Sequence, residues 1–558
     1  MAARPVSPED YRAQAVAAAR GGDLAGARAI MERGLAEHPG NAALANSAGN
    51  LAMQAGAAED AAALFARAAG AEPASLEYAT NHAIALSRLE RHAQAVAALR
   101  PLSAAGMADR RYCSVRAAAE RAAGHLAEAQ VLYDRALALE PGNARALHGR
   151  ARVAVERGQA DAVARFEAAL AANRGEADLW LGLAQSLDAA GERSRAQEIA
   201  EQLVAQAPHW LDALRFLAQL RLAAGETDFT APYAEAERRV PGDPAIPFAH
   251  AEVLAGLDHA VAAAEVAAAA RRRFPENGAL ALLEAVHRGS AGQDDLAEAI
   301  WTTLADASAT RFLHEARHRI RLHQIDRAGN LLDRASQGTP WSVEVWALRG
   351  IVWRMAGDDR ANWLHGQDGL MQMRPLPGRE HVLDAARPLL HRLHDGSPLP
   401  LGQSLRGGTQ TRGRLFDRAE GELRALHDAL WAAAEDYRAG LPPADATHPL
   451  LRHRDEPWRI TGSWSVRLSH GGDHHTSHIH PQGLLSSALY VQLPELGVDE
   501  GLLELGRPAP DLRLDLGPLA QITPREGHLA LFPSTLYHGT TPFGEGTRMT
   551  VAFDVQAN

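Results

Sequence analysis

The chain of 558 residues contains no lysine; all 57 of its basic residues are arginine. It has one cysteine, Cys113, and only 5% aromatic residues. A single cysteine excludes an internal disulfide and a multi-thiolate metal site. No run of eighteen apolar residues occurs. Even LAGLDHAVAAAEVAAAA carries Asp, His and Glu, so no membrane-spanning helix is expected. The opening MAARPVSPEDYRAQ lacks the apolar centre of a signal peptide. The net charge of -11, the pI near 6.2 and the dispersal of the arginines argue against nucleic-acid binding. The Ala and Arg bias has the look of a GC-rich genome and says little about function. These absences lead to the expectation of a cytoplasmic bacterial protein with neither a membrane nor a nucleic-acid partner. A chain of this length exceeds one ordinary core, so several domains are expected.

Self-similarity dominates the first two-thirds. Glycines recur at Gly22, Gly56, Gly124, Gly158, Gly191 and Gly225, in steps of 34, 68, 34, 33 and 34. Prolines recur at Pro39, Pro73, Pro141, Pro208, Pro241 and Pro275, and four Gly–Pro pairs share a gap of seventeen. Gly can take the positive φ that ends one helix, and Pro cannot continue the ladder of the next. The pattern predicts a helix pair per repeat, about ten pairs between residues 8 and 365. A helical pair of 34 residues is the tetratricopeptide period, and AEAQVLYDRALALEPGNARAL resembles that family's second helix and closing proline. The large aromatics usual in the first helix are mostly replaced by small residues. Residues 1–370 are therefore expected to form a tetratricopeptide α-solenoid. Such arrays bind a protein or peptide in a concave groove. Trp180, Trp210, Trp301, Trp341 and Trp346 fall at helical positions and are expected in the core.

After Gly357 the period fails. Residues 371–379, MQMRPLPGR, read as a linker. REHVLDAARPLLHRLHDG reads as a helix kinked by Pro388, so 371–402 is expected to be a linker and kinked helix. The Gly-, Ser- and Thr-rich stretch after it has two readings, an ordinary loop or the mouth of a site with Arg406, Gln410 and Thr411 as substrate contacts. RAEGELRALHDALWAAAEDYRAGLP places Leu423, Leu426, Leu430 and Ala433 on one helical face. From residue 458 the pattern becomes strand-like: TGSWSVRLS, LLSSALYVQL, HLALFP and RMTVAFDV are separated by Gly-, Pro- and Asp-rich turns. Such spacing suggests a sandwich or jelly roll. The fold class expected is multidomain α + β, a solenoid followed by a jelly-roll domain over 403–558 with flanking helices.

The chemistry is concentrated in that last domain. His478 and His480 stand one residue apart in TSHIHP, and alternate side chains of an extended strand point the same way. His538 follows fifty-eight residues after His480, and Arg548 ten residues later. Two imidazoles on one face plus a distant third suggest a non-haem iron centre with open positions. Three further histidines, His470, His474 and His475, lie in a Gly- and Asp-containing turn and read as solvated or as neighbours of the ligands. Arg548 sits in an apolar strand, which argues for an inward charge needing an anionic partner.

QSLRGGTQTRGRLF, GSWSVRL, HIHPQGLLSSALYV, EGHLALFPSTLYHG and RMTVAFD resemble the 2-oxoglutarate/Fe(II)-dependent oxygenases that bacteria attach to tetratricopeptide arrays. The resemblance covers most of the last 150 residues. It implies a double-stranded β-helix, Fe(II), and 2-oxoglutarate and O2 as co-substrates, with ascorbate as an accessory reductant. It implies a dioxygenase of a superfamily that hydroxylates proteins, small metabolites and nucleobases, and the fused array favours a protein or peptide as the substrate. His478 and His538 match the family's two histidines. The acid position is His480 here, so either three histidines bind the metal or another group such as Asp473 supplies a carboxylate. Arg548 and Thr550 match the arginine and its Ser/Thr partner that receive the far carboxylate of 2-oxoglutarate, and Tyr490 is a secondary candidate for the same carboxylate. Two other readings stand beside it: a tetratricopeptide adaptor with an inactive barrel, and a cupin-type metalloenzyme that does not use 2-oxoglutarate. The cupin reading lacks its expected Glu, since Leu484 and Leu485 occupy that place.

Overall fold

A computed structural model describes residues 6–557 of the chain. Its backbone falls into two compact units, one ending at Ser186 and the other beginning at Leu187.

Helix pairs account for everything up to His365. The first pair is Pro8–Arg20 and Leu24–Glu37, the last Val343–Ala356 and Arg360–His365. All six glycines that mark the period take a left-handed backbone, with φ between 62° and 88°. The period also continues where glycine is missing. Glu90, midway between Gly56 and Gly124, has φ 59°, and Asp258 and His323 have φ 64° and 56°. With Gly292 and Gly357 these make eleven turns and eleven helix pairs among the described residues, one more than the glycine spacing predicts. The same hydrogen bond closes both kinds of turn. Asp23 N–H reaches the Ala18 carbonyl at 3.0 Å, and Arg91 N–H reaches Leu86 at 2.9 Å. A left-handed turn costs a non-glycine residue about 1–2 kcal/mol, which the repeat's packing overrides. Many of the pairs start on a cap: after Pro39, Asn41 accepts from Leu44 N–H at 2.9 Å, and after Pro141, Asn143 accepts from Ala146 N–H at 3.0 Å. Of the tryptophans expected in the core, Trp301 and Trp346 are buried, whereas Trp180 and Trp341 are more than a third exposed.

The strands lie in the second unit. They are β1 (Gln372–Pro375), β2 (Leu405–Arg406), β3 (Thr409–Gln410), β4 (Trp458–Leu468), β5 (His474–His475), β6 (Leu485–Gln492), β7 (Leu503–Leu505), β8 (Ala520–Ile522), β9 (His528–Pro533), β10 (His538–Thr540) and β11 (Arg548–Ala557). A six-stranded sheet runs β1-β9-β6-β11-β4-β3, a three-stranded sheet β10-β7-β8, and β2 pairs with β5. This is the expected double-sheet domain. Residues 371–379 are not a free linker. β1 is the edge strand of the large sheet, where Pro375 at its end disturbs no central ladder. The helices Arg379–Asp395 and Gly421–Ala439 cover one face of that sheet. Leu383, Leu390, Leu423, Leu426 and Leu430 pack there against Met549, Val551 and Phe553 of β11.

The expected seam at residue 370 is not a break in packing. Phe312, Trp346 and Trp353 of the last repeats share a core with Ala509, Leu512 and Tyr537 of the sheet domain. Arg317 donates to both oxygens of Asp511, at 2.6 and 2.7 Å, and to the Tyr537 hydroxyl at 2.9 Å. Among the described residues, no helix is long and apolar enough to cross a membrane.

The turn conformations predict opposite responses at two equivalent positions. Gly124→Ala should lower stability by about 1–2 kcal/mol, whereas Glu90→Gly should not lower it, because only the first change forces a Cβ into a left-handed turn. Urea midpoints of the two variants against the parent check this.

Candidate metal centre

Two chain segments meet at the site. His478 and His538 form a two-way backbone bridge, with N–H to carbonyl distances of 3.0 and 2.9 Å. Gly539 permits it: a Cβ there would lie 2.9 Å from the His475 carbonyl oxygen. The bridge sets β10 beside HIH, and the three imidazoles of His478, His480 and His538 converge with ligand atoms within 4.8 Å of one another. His478 Nε2 and His480 Nε2 are 3.1 Å apart. At a metal–nitrogen distance of about 2.1 Å, two ligands at right angles stand about 3 Å apart. All three rings have Nδ1 engaged elsewhere. His478 Nδ1 lies 2.9 Å from the Thr476 carbonyl, His538 Nδ1 3.1 Å from the Leu536 carbonyl, and His480 Nδ1 2.5 Å from Asp554 Oδ1. With Nδ1–H donating in each case, every Nε2 is a lone-pair acceptor turned to the common point. Burial, reinforced by the neighbouring imidazoles, holds His478 and His538 well below the ordinary histidine value, so they stay neutral. The set fits a divalent cation that prefers imidazole.

Asp473, the alternative carboxylate, is turned elsewhere. Its Oδ2 accepts from the backbone N–H groups of Ser469 and His470 at 3.1 Å each, capping the turn that precedes HIH. Asp554 instead brings the negative charge, one residue removed from the metal point, through His480. Trp464 packs edge-on against His480 at 5.2 Å, and the Ser486 hydroxyl approaches His480 Nδ1 at 3.3 Å. None of these three neighbours stands out in the sequence. The signal for Asp554 is its place on the face of β11 that carries Arg548, Thr550 and Ala552, since residues two apart share a face.

Arg548 lies at the other end of that face, only 3% exposed. Its Nη1 donates to the Gly501 carbonyl at 2.7 Å, and its Cζ lies 5.2 Å from the Tyr490 ring centre. Among the described residues no carboxylate pairs with it. The buried Tyr490 hydroxyl has no hydrogen-bond partner of normal geometry. Burial lowers the Arg548 pKa and raises that of Tyr490, and each opposes the shift of the other. Thr550 sits opposite Tyr490 in the register and is half-buried.

A cavity of about 480 Å³ opens onto His478 and His480. Its walls include Arg406, Gln410, Trp464 and His475, and also Ala255 and Gly256 from a repeat turn. Gly256 touches Gly402 so closely that a Cβ would lie 2.4 Å from the Gly402 Cα. Arg406 pairs with Asp258. The Gln219 amide holds the mouth segment by its main chain, donating to Leu399 O and accepting from Leu401 N, both at 2.8 Å. Thr411 does not reach the cavity. It is buried and paired with Ser465, whose N–H donates to Thr411 Oγ1 at 2.9 Å. His475 lines the cavity rather than facing solvent.

Residues 462–554 match the family model described as "Putative 2OG-Fe(II) oxygenase", and residues 160–220 match a tetratricopeptide repeat model. A tetratricopeptide-repeat match and a match to the model described as "Putative 2OG-Fe(II) oxygenase" thus lie in one chain. The matched span of the oxygenase domain contains all three histidines, Arg548 and Asp554, and the family implies Fe(II) and 2-oxoglutarate. No curated protein matches the chain. Among solved structures, a tetratricopeptide repeat protein from Parabacteroides merdae is 18% identical, over 44% of this chain and 97% of that one, with a TM-score of 0.37. The pilus biogenesis factor PilW is 18% identical over 43% and 96%, with a TM-score of 0.30. YrrB, a tetratricopeptide protein with an unusual peptide-binding site, is 18% identical over 30% and 88%, with a TM-score of 0.28.

The support of His480 by Asp554 makes a first prediction for the oxygenase domain. Asp554→Asn should weaken iron affinity about 10–100-fold while leaving all three imidazoles in place; a competitive titration with a ferrous chelator measures it. A second concerns pH. His365, bonded to Thr535 Oγ1 at 3.0 Å, and His394, bonded to Ser465 Oγ at 2.9 Å, buttress the barrel, and burial lowers both to about 3. Above about pH 6.5 folded and unfolded chains both hold these rings neutral, so nothing is lost. From there down to about pH 3 the unfolded chain takes up protons that the folded chain refuses. Each ring should then remove about 1.4 kcal/mol of stability per pH unit. Urea midpoints should fall steadily below about pH 6.5, and replacing either histidine by Gln should flatten the slope.

Proposed function

We propose that the protein is an Fe(II)- and 2-oxoglutarate-dependent dioxygenase that hydroxylates a protein or peptide. His478, His480 and His538 hold the metal through Nε2, and Asp554 orients His480. The observation that carries the reading is Arg548. A buried guanidinium with no carboxylate beside it, its charge met only by the neighbouring Tyr490 and a backbone carbonyl, is an anion site built in advance. On this reading a dicarboxylate would bind with one end at the metal and its far carboxylate at Arg548 and Tyr490, with Thr550 beside them. Bound iron and 2-oxoglutarate would supply the oxidising chemistry, in which O2 converts the 2-oxo acid to succinate and CO2 and inserts one oxygen atom into a substrate C–H bond. The residues bind, orient and exclude water. Trp464 and the buried inner face of the sheet keep solvent from the metal point, and the neutral imidazoles leave the cation uncompensated for the incoming carboxylates.

Two features support a polypeptide substrate. The cavity has a wall made by a repeat turn, so a molecule at the metal also touches the array. The array is of a kind that takes extended chains, and Gln219 already grips a main chain in that manner. Arg406 and Gln410 line the entrance and are the substrate contacts in this reading.

Anaerobic titration of the iron-loaded protein with 2-oxoglutarate, followed by succinate release under air, tests the proposal. Arg548→Ala should keep its iron and lose about two to four decades of 2-oxoglutarate affinity. Unchanged affinity in that variant would return the cupin and adaptor readings.

A further inference from the structure

A fourth imidazole stands beside the three that meet at the metal point. His475 stacks on His478, with ring centres 5.9 Å apart and 25° between planes, and lines the same cavity. Its backbone is fixed from two sides. It pairs with Leu405 in the β2–β5 ladder, and its N–H donates to Thr540 Oγ1 at 3.0 Å. Its Nδ1 lies 3.3 Å from the Ser404 hydroxyl. Among the described residues its other ring nitrogen has no hydrogen-bond partner. It is outside the group of converging ligand atoms. Arg548 is the charged group that acts most strongly on its ring.

A polar ring locked in place, stacked on a metal-site imidazole and with one nitrogen open to the cavity, is poorly explained by packing. Arg548 lies nearby, since its Nη1 donates to the carbonyl of Gly501, whose N–H donates to the Pro542 carbonyl, two residues from the Thr540 that bonds His475. An apolar side chain would fill the place without leaving a ring nitrogen unbonded. We propose that His475 is a co-substrate-binding residue, whose free ring nitrogen donates to the carboxylate of a 2-oxo diacid held by Arg548. This deepens the functional reading above and rests on it. His475 then completes a three-sided carboxylate site with Arg548 and Tyr490. It also ties that site to the array, because β2, to which it is paired, is held by the Arg406–Asp258 contact.

The test uses the full-length iron-loaded protein under anaerobic conditions, with calorimetric titration of two acids. 2-Oxoglutarate has the far carboxylate; pyruvate has the same metal-binding end without it. His475→Phe keeps the ring volume and removes the donor, and His475→Gln keeps a donor. The expected result is unchanged iron content in both variants. His475→Phe should bind 2-oxoglutarate about 10- to 100-fold more weakly with unchanged pyruvate affinity, and His475→Gln should recover most of the loss. Equal weakening for both acids would mean that the ring only packs the metal point. Loss of iron would make it a ligand, and an unchanged 2-oxoglutarate affinity would remove it from the site. Each of these three overturns the inference. If the parent protein binds no 2-oxoglutarate, the functional reading itself fails, and that result is read before any variant is made.

Discussion

Burying a guanidinium without a counter-ion is among the more costly things a fold can do, and Arg548 is placed in that condition by the strand it occupies. β11 lies in the middle of the large sheet, with β6 on one side and β4 on the other. Its odd-numbered residues are committed to the core under two helices, so its even-numbered ones must face the interior of the barrel. That single alternation puts Arg548 and Asp554 on one face of β11, Arg548 beside Tyr490 and Asp554 beside His480. Asp554 is hydrogen-bonded to His480 Nδ1. Arg548 is left facing Tyr490, with no carboxylate beside it among the described residues.

The repeats near this domain do more than adjoin it. A common core and the Arg317–Asp511–Tyr537 contacts fasten the last repeats beside His538, and Gln219 and Asp258 fasten the mouth segment on the other side. Tyr537 is the immediate neighbour of His538 in the chain, so the repeat that binds its hydroxyl also restrains that imidazole. The late repeats and the sheet domain therefore share one packed core. An oxygenase domain cut at residue 370 would expose Leu512 and Tyr537 and leave Asp511 without its main partner.

Much of this was legible without coordinates, where the physics is local. The turn glycines need positive φ, the prolines stop helices, and alternation puts His478 with His480 and Arg548 with Thr550. The strands HLALFP and RMTVAFDV appear nearly as their residues suggest. What escaped was whatever depends on context. Glu90 takes a glycine's conformation because its neighbours' packing demands it. MQMRP becomes an edge strand because β9 offers it a partner. Asp473 and Asp554 are both acids near the histidines, and nothing in their spacing says which turns toward them.

By itself, then, the sequence determined the period of the array, the change from helix to strand, and the identity of the imidazoles and the arginine, because these follow from backbone preferences and side-chain chemistry within a few residues. Only the tertiary structure decided that Asp554 rather than Asp473 turns to His480, that Thr411 is turned away while His475 faces the cavity, and that a repeat turn forms part of the wall. Those outcomes depend on which distant strands and helices are brought into register, and long-range pairing leaves no local periodicity to read.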